Sequence, residues 1–265
     1  MQYSRMWRGL VLAALIAGTA CSAGCQRNVA VLTYNIHHAA GTDGRVDLER
    51  IAAVIRAARA DLVALQEVDR GVRRSGGEDQ PQRLAELTGM HVAFAKNIAL
   101  QGGEYGNAVL SRFPIERYEN HALPRLDDSE QRGALEVHVR IGGRPVVFVA
   151  THLDHRANDR ERRASLATLR ELVERNADRT VIVAGDFNAR PDSAVLSDAT
   201  AFLRDACAAV GHTDLTYPAG KPSERIDYVL VLPRAGLGCV ACQVLPEAVA
   251  SDHRPVLATL TLGGP

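Results

Sequence analysis

What this 265-residue sequence lacks narrows its function before any motif is considered. Neither sign of charge is in excess, with 31 Lys and Arg against 31 Asp and Glu. A protein that coats nucleic acid regardless of sequence usually carries a basic balance or stripe, so that class is disfavoured. An enzyme that grips only a few phosphates is not excluded. Aromatic residues make up 5% of the chain, little material for a base-stacking platform. After the first 25 residues there is no low-complexity linker, no internal repeat and no break in composition. One domain is therefore expected over 28–263, and 46% apolar residues are ample for its core.

What is present starts with export. Arg5 and Arg8 precede the apolar stretch "GLVLAALIAGTA", which is shorter than the ~20 residues that span a bilayer. Small residues and cysteine follow in "CSAGC", so residues 1–25 have the plan of a secretory signal. Cys21 or Cys25 is placed like the lipidated residue of a bacterial lipoprotein. Neither has Leu three positions before it, and an ordinary cleaved signal is the alternative. The expected location is the bacterial envelope, lipid-anchored, or the periplasm or exterior. Export would leave Cys207, Cys239 and Cys242 where disulfides form, with one thiol left over if two pair. "CVAC" lacks a second such pair, so a structural role is expected rather than a metal site.

Periodicity gives the elements. "NVAVLTYNI", "DLVALQEVD", "HVAFAKNI", "YGNAVLSRFPI", "TVIVAGDFN", "RIDYVLVL", "GLGCVACQVL" and "HRPVLATLTL" read as strands. "ALEVHVRIGGRPVVFVATHL" reads as a hairpin turning at Gly142-Gly143. Apolar residues at helical spacing predict helices in "VDLERIAAVIRAARA", with Asp47 as N-cap, in "QRLAELTGM", in "DRERRASLATLRELVERNA" and near "SDATAFLRDACAAVG". Hairpins mixed with strand-helix-strand units predict an α/β sandwich, two packed mixed sheets flanked by helices.

The informative pattern is where polar residues fall. Asn35, Glu67, His152, Asp186 and Asn188 stand where apolar strands end, and Asp227 and the pair Asp252-His253 add to them. In "VIVAGDFNARPDS" an extended backbone would put Asp186 and Asn188 on one side and Phe187 on the other. A turn with a capping Asp is the plain reading of that stretch alone, as a satisfied core histidine is of His152. So many such endings in one domain point instead to a shared site.

The set Asn35, "QE" at 66–67, "YGNAVLSRFP" at 105–114, "THL" at 151–153, "GDFN" at 185–188, "RIDYV" at 225–229 and "SDH" at 251–253 resembles the endonuclease/exonuclease/phosphatase family, in the family's order. The resemblance implies a four-layer, deoxyribonuclease I-like fold and Mg²⁺- or Mn²⁺-dependent cleavage of phosphate esters. It implies Glu67, Asn35 and Asp252 as metal ligands, and Asp186 as the residue that orients or deprotonates the attacking water. Asn188 would hold that water or a phosphate oxygen. His253 would face phosphate with its ring fixed by Asp227, and His152 would be the second phosphate-facing histidine. The chemistry agrees, since hard cations take carboxylate, amide and water oxygens, and phosphoryl transfer asks mainly for positioning.

Asn107 and Arg112 lie in the "GNxxLSR" stretch and Arg225 precedes Asp227, so all three are substrate-binding candidates. Arg132 is a further source of positive charge, and the roles of His37 and His38 are open. The expected substrate is a small or lipid-borne phosphate ester, hydrolysed by a monomer. A secreted nuclease is the alternative and would be better served by a basic groove. A non-catalytic binding protein is a third reading, disfavoured by the intact Asp227–His253 and Asp186–Asn188 pairs.

Overall fold

The computed structural model describes residues 27–126 and 128–263; the expected export signal at 1–25 lies outside them. Twelve strands form two six-stranded sheets. The first takes β1 (Arg27–Asn35), β2 (Leu62–Arg70), β3 (His91–Leu100), β4 (Gly103–Ser111), β11 (Leu237–Val244) and β12 (Val256–Leu262), in the order β11-β12-β1-β2-β4-β3. The second takes β5 (Ile115–Ala122), β6 (Gly133–Ile141), β7 (Arg144–His152), β8 (Thr180–Asp186), β9 (Arg204–Asp205) and β10 (Asp227–Val231), in the order β5-β6-β7-β8-β10-β9. Each sheet has one parallel pair near its middle, β1 with β2 and β7 with β8.

Alternation explains the layers. Val29, Val31, Leu62 and Ala64 of the first sheet face Leu135, Val137, Phe148 and Ile182 of the second in the central core. The opposite faces are covered by helices. On the first sheet lie α1 (Leu48–Ala58), begun by the Asp47 carboxylate accepting the Arg50 amide, and α2 (Gln80–Thr88). On the second lie α3 (Arg160–Arg175) and α4 (Ala194–Thr200). The four-layer sandwich is as expected from the sequence.

Two elements differ from that expectation. β5 was not anticipated: it is a largely exposed, polar edge strand with no apolar face to give it a period. The helix expected near 197–211 is instead α4, starting earlier at the Ser193 cap, then β9 and a short 3₁₀ turn. Asp205 draws the chain out of the helix. Its carboxylate accepts the amides of Cys207 and Ala208 and pairs with Arg225. Cys207 bonds to Cys242 of β11, joining the two sheets, and among the described residues Cys239 is the free thiol. Among the described residues, no helix is long and apolar enough to cross a membrane.

Candidate active site

The second sheet lines up three site residues by register alone. His152 closes β7 beside Asp186, the last residue of β8, and Asp186 stands opposite Asp227, the first residue of β10. Directly paired residues on neighbouring strands share a face, so one edge carries His152, Asp186 and Asp227 together. Asn188 joins them by a route other than strand alternation. β8 ends at Asp186, whose Oδ1 accepts the Asn188 amide at 2.9 Å while Asn188 turns to φ 47°. This Asx turn swings the Asn188 side chain toward His152 Nε2 at 3.1 Å, where its Nδ2 also donates to the Leu153 carbonyl at 3.0 Å. Phe187 is fully buried with its ring edge-on to Tyr228, which anchors the turn in the core.

The first sheet brings its residues from the facing side. Asn35 ends β1, and its Nδ2 reaches Glu67 Oε1 at 3.0 Å and Asp186 Oδ2 at 3.2 Å, bridging the sheets. Its Oδ1 accepts the His37 amide. Glu67 is not at the end of β2, as the sequence suggested, but inside it. Leu65 pairs with Ala108 and Val68 with Gly106, so Gln66 and Glu67 together oppose Asn107 in a β-bulge. Glu67 sits there at φ 60°, a conformation that costs a non-glycine residue about 1 kcal/mol. The bulge turns its carboxylate toward Asn35. Ser251 fastens the last segment, donating to the Asn35 carbonyl at 2.7 Å and accepting the His253 amide.

His253 places Nδ1 3.0 Å from Asp227 Oδ2 and Nε2 3.7 Å from Asp186 Oδ2. Burial alone would lower its pKa; the charges of Asp227, Asp186 and Asp252 outweigh burial and raise it. The ring is therefore cationic at neutral pH, with Asp227 holding its orientation. Burial, reinforced by the Asp227 charge, lifts Asp186 above the usual carboxylate range, against the pull of His253 and the amides of Asn188 and Asn35. His152 moves the other way. Burial and then the Arg132 charge hold it well below 6.5. Arg132 Nη1 donates to His152 Nδ1 at 3.1 Å, while Nε2 faces Asn188 Nδ2 at 3.1 Å and Asp186 Oδ2 at 3.5 Å. The site thus holds one charged and one neutral imidazole on either side of a single carboxylate.

Some sequence candidates stand elsewhere. Arg112 follows Ser111, which pairs with Leu62 at the opposite end of β2 from Glu67. Its guanidinium donates to the Ala60 carbonyl and pairs with Asp61, so the structure leaves it out of the cluster. Arg225 is buried over the Tyr228 ring and paired with Asp205. Asn107 lies opposite the bulge and donates to the Gly133 carbonyl of the other sheet. Arg132 touches His152, His155 and Glu130, closer to the centre than the sequence required. Sequence reasoning missed Ser251, although it was quoted in "SDH", and Tyr217, whose ring packs 4.7 Å from that of His253. Tyr217 sits in an irregular loop without periodicity, so no local signal marks it.

The donor set suits a divalent cation. The Asp186 and Asp227 carboxylates offer ligand oxygens within 4.8 Å of each other, and Asp227 Oδ1 is buried without a hydrogen-bond partner. Glu67 and the half-exposed Asp252 carboxylate lie on the first-sheet side. Buried carboxylates left together need a compensating charge.

Known proteins share this fold. A 29% identical structure from Beutenbergia cavernae DSM 12333, an endonuclease/exonuclease/phosphatase, superposes with a TM-score of 0.74 over 90% of this chain and 72% of that one. The Bacteroides thetaiotaomicron VPI-5482 mannosyl-6-phosphatase shares the fold at 20% identity and a TM-score of 0.73, covering 88% of this chain and 99% of its own. YbhP of Escherichia coli (strain K12), an uncharacterized protein, is 32% identical over 245 residues, which is 88% of this chain and 96% of YbhP. The family model for "Endonuclease/Exonuclease/phosphatase family" matches residues 32–253, a span that runs from the strand carrying Asn35 to His253 itself. The residues that converge here therefore lie within the matched span, and the chain belongs to the endonuclease/exonuclease/phosphatase family.

Proposed function

We propose that the protein is a divalent-metal-dependent hydrolase of phosphate esters, with Mg²⁺ or Mn²⁺ as cofactor. The observation that carries this reading is the convergence of Asn35, Asp186, Asn188, Asp227, His152 and His253 from two sheets onto one point. Glu67, Asp252 and the oxygens around Asp186 would hold the cation, which when bound neutralises charge developing on the phosphoryl oxygens.

The remaining work falls to the chain's own groups. Asp186, with its raised pKa and an acceptor oxygen turned toward Asn35 and both histidines, takes a proton from the attacking water. Asn188 and His152 position a phosphate oxygen or that water beside Asp186. His253, cationic and braced by Asp227, donates to the phosphoryl group as negative charge accumulates. A cleft of about 380 Å³ beside Asn188, lined also by His155, Arg190 and Glu224, has room for the substrate's remaining body. The neutral overall charge favours a small or lipid-borne phosphate ester over nucleic acid.

We include export to the bacterial envelope, with a lipid anchor, in the proposal. The Cys207–Cys242 bond supports an oxidising compartment. The test is hydrolysis of bis-p-nitrophenyl phosphate, inositol phosphates, sphingomyelin and plasmid DNA by residues 28–265, with Mg²⁺, Mn²⁺ or EDTA. Metal-dependent turnover that falls at least a thousandfold in Asp186→Asn is expected, on the order of a lost general base with its positioning. Turnover indifferent to both EDTA and the substitution would overturn the reading.

A further inference from the structure

Next to the cluster lies a group of side chains that the mechanism leaves unused. β1 passes from Asn35 into a tight turn, Ile36 to Ala40, and there His37, His38 and Ala39 take φ values of 46°, 44° and 62° in succession. Three consecutive non-glycine residues in the left-handed region are strained and persist only where the surroundings enforce them. Here the surroundings do. Asn35 Oδ1 accepts the His37 amide at 3.1 Å, and the Asp47 amide binds the Ala39 carbonyl at 2.9 Å. Gln80, fully buried at the start of α2, donates to the His38 carbonyl at 2.8 Å while its other end accepts the Asp69 amide of β2.

The effect of this bracing is to set two imidazoles edge to face, with ring centroids 4.5 Å apart and planes inclined at 68°, beside the bulge that presents Glu67. One nitrogen of each ring and one Glu67 oxygen all lie within 4.8 Å of one another. Glu67 is itself at positive φ, so all three members of the group occupy strained backbone. His37 Nδ1 is 3.2 Å from the Ala40 carbonyl, which takes its proton and leaves Nε2 as a lone-pair donor. That bond is the usual brace on a metal-ligating histidine. His38 Nδ1 is enclosed and has no hydrogen-bond partner. Asp252 Oδ1 stands 4.0 Å from His37, adding a second carboxylate at the rim.

We propose that His37 and His38 join Glu67 in a mixed nitrogen–oxygen metal pocket, which makes this chain select a first-row transition ion such as Zn²⁺ over Mg²⁺. Imidazole suits such ions, whereas Mg²⁺ favours oxygen donors and retained water. Two imidazoles and a glutamate, with a position left for water or substrate, is also a donor set that holds Zn²⁺. The proposal rests on the hydrolase reading only through Glu67, which both assign to metal.

The experiment loads metal-free protein with Mn²⁺ and records electron spin-echo modulation from directly bound nitrogen. Calorimetric titrations with Zn²⁺ and Mg²⁺ accompany it. His37→Asn and His38→Asn are the variants, because Asn tolerates the left-handed backbone that Ala would resist. His253→Ala is the control for nitrogen from the other cluster, and circular dichroism checks that each variant is folded. Imidazole modulation is expected in the wild type and in His253→Ala, and reduced in each of the two turn variants. Zn²⁺ affinity should fall at least tenfold in those variants while Mg²⁺ affinity changes less than twofold. Modulation lost only in His253→Ala, or Zn²⁺ affinity unchanged in both turn variants, overturns the pocket. Nitrogen-ligated metal in a protein that hydrolyses no phosphate ester would instead overturn the hydrolase reading and leave the pocket standing.

Discussion

His253 has one ring nitrogen committed to Asp227 at 3.0 Å, and what the other can offer a phosphate depends on that bond. Asp227→Asn keeps the shape but removes the charge that holds the ring cationic. Its kcat should fall roughly 10²–10⁴-fold with little change in melting temperature, the range for losing a positioned acid; a change confined to KM would contradict the assignment. Arg112→Gln is the contrasting case. Its guanidinium binds at the far end of β2, so kcat/KM should stay within about twofold of wild type, the effect of a surface change away from the site. A large loss there would return Arg112 to the site. Glu136 gives a pH prediction free of the site. Burial would raise its pKa, but bonds from His138, Arg175 and His121 outweigh burial and hold it at about 2, against 4.5 for a free carboxyl. A carboxyl depressed in the folded state stabilises fully above its unfolded pKa and loses that contribution as pH falls through the folded one. Glu136→Gln should therefore cost about 2 kcal/mol at pH 7, typical of bonds to a charged group. Thermal melts should show its gap from wild type closing between pH 4.5 and 2. A gap that does not vary with pH would contradict the ion-pair account.

At the scale of elements, the sequence made some features plain and hid others for identifiable reasons. Asn35, His152, Asp186 and Asp227 were legible because each ends or begins a strongly apolar strand, and strand register then does the rest. Glu67 was legible as a residue type but not in its placement. A bulge depends on how Gln66 and Glu67 count against Asn107 on another strand, which no local pattern records. Asn188 was expected from alternation and arrived instead by an Asx turn, so a correct grouping had an incorrect local cause. β5 was hidden by its polarity, and the α4 boundary by Asp205, whose capping of the following turn looks like ordinary helix content in one dimension. The cysteines left a leftover thiol foreseeable but not its identity; only the meeting of β11 with the turn after β9 selects Cys207 with Cys242. That cross-link closes a separation of 35 residues. Removing it with Cys207→Ser, or by reduction, should cost between about 3 and 4 kcal/mol in a chain-entropy treatment. Denaturant melts with and without dithiothreitol would measure this, and coincident curves would mean the unfolded chain is already confined.

For the whole molecule, the site is the place where two sheets touch, so anything bound there must also hold the sheets together. Asn35 on one sheet donates to Asp186 on the other at 3.2 Å, and a cation would offset the like charges of Asp186 and its neighbour Asp227. Mn²⁺ at 100 times its dissociation constant should add about 2.7 kcal/mol to stability. For a chain of this size that is a rise of roughly 5–10 °C in melting temperature. Asp186→Asn together with Glu67→Gln should abolish the rise, and a rise that survives both would place the ion elsewhere. The first sheet carries one more consequence, in the order in which it can be completed. β12, at Val256–Leu262, lies between β11 and β1, so the strand that delivers Asn35 has its partner in the last segment of the described chain. The second sheet, by contrast, draws all its strands from the stretch between Ile115 and Val231. During synthesis the second sheet can therefore close while the first still waits with an open edge. Asp252 and His253 emerge just before the strand that seals it. The ribosome thus completes the cluster from Asn35 to His253 almost at the moment it completes the described fold, and a nascent chain has no earlier stage at which the whole cluster stands on an unfinished scaffold.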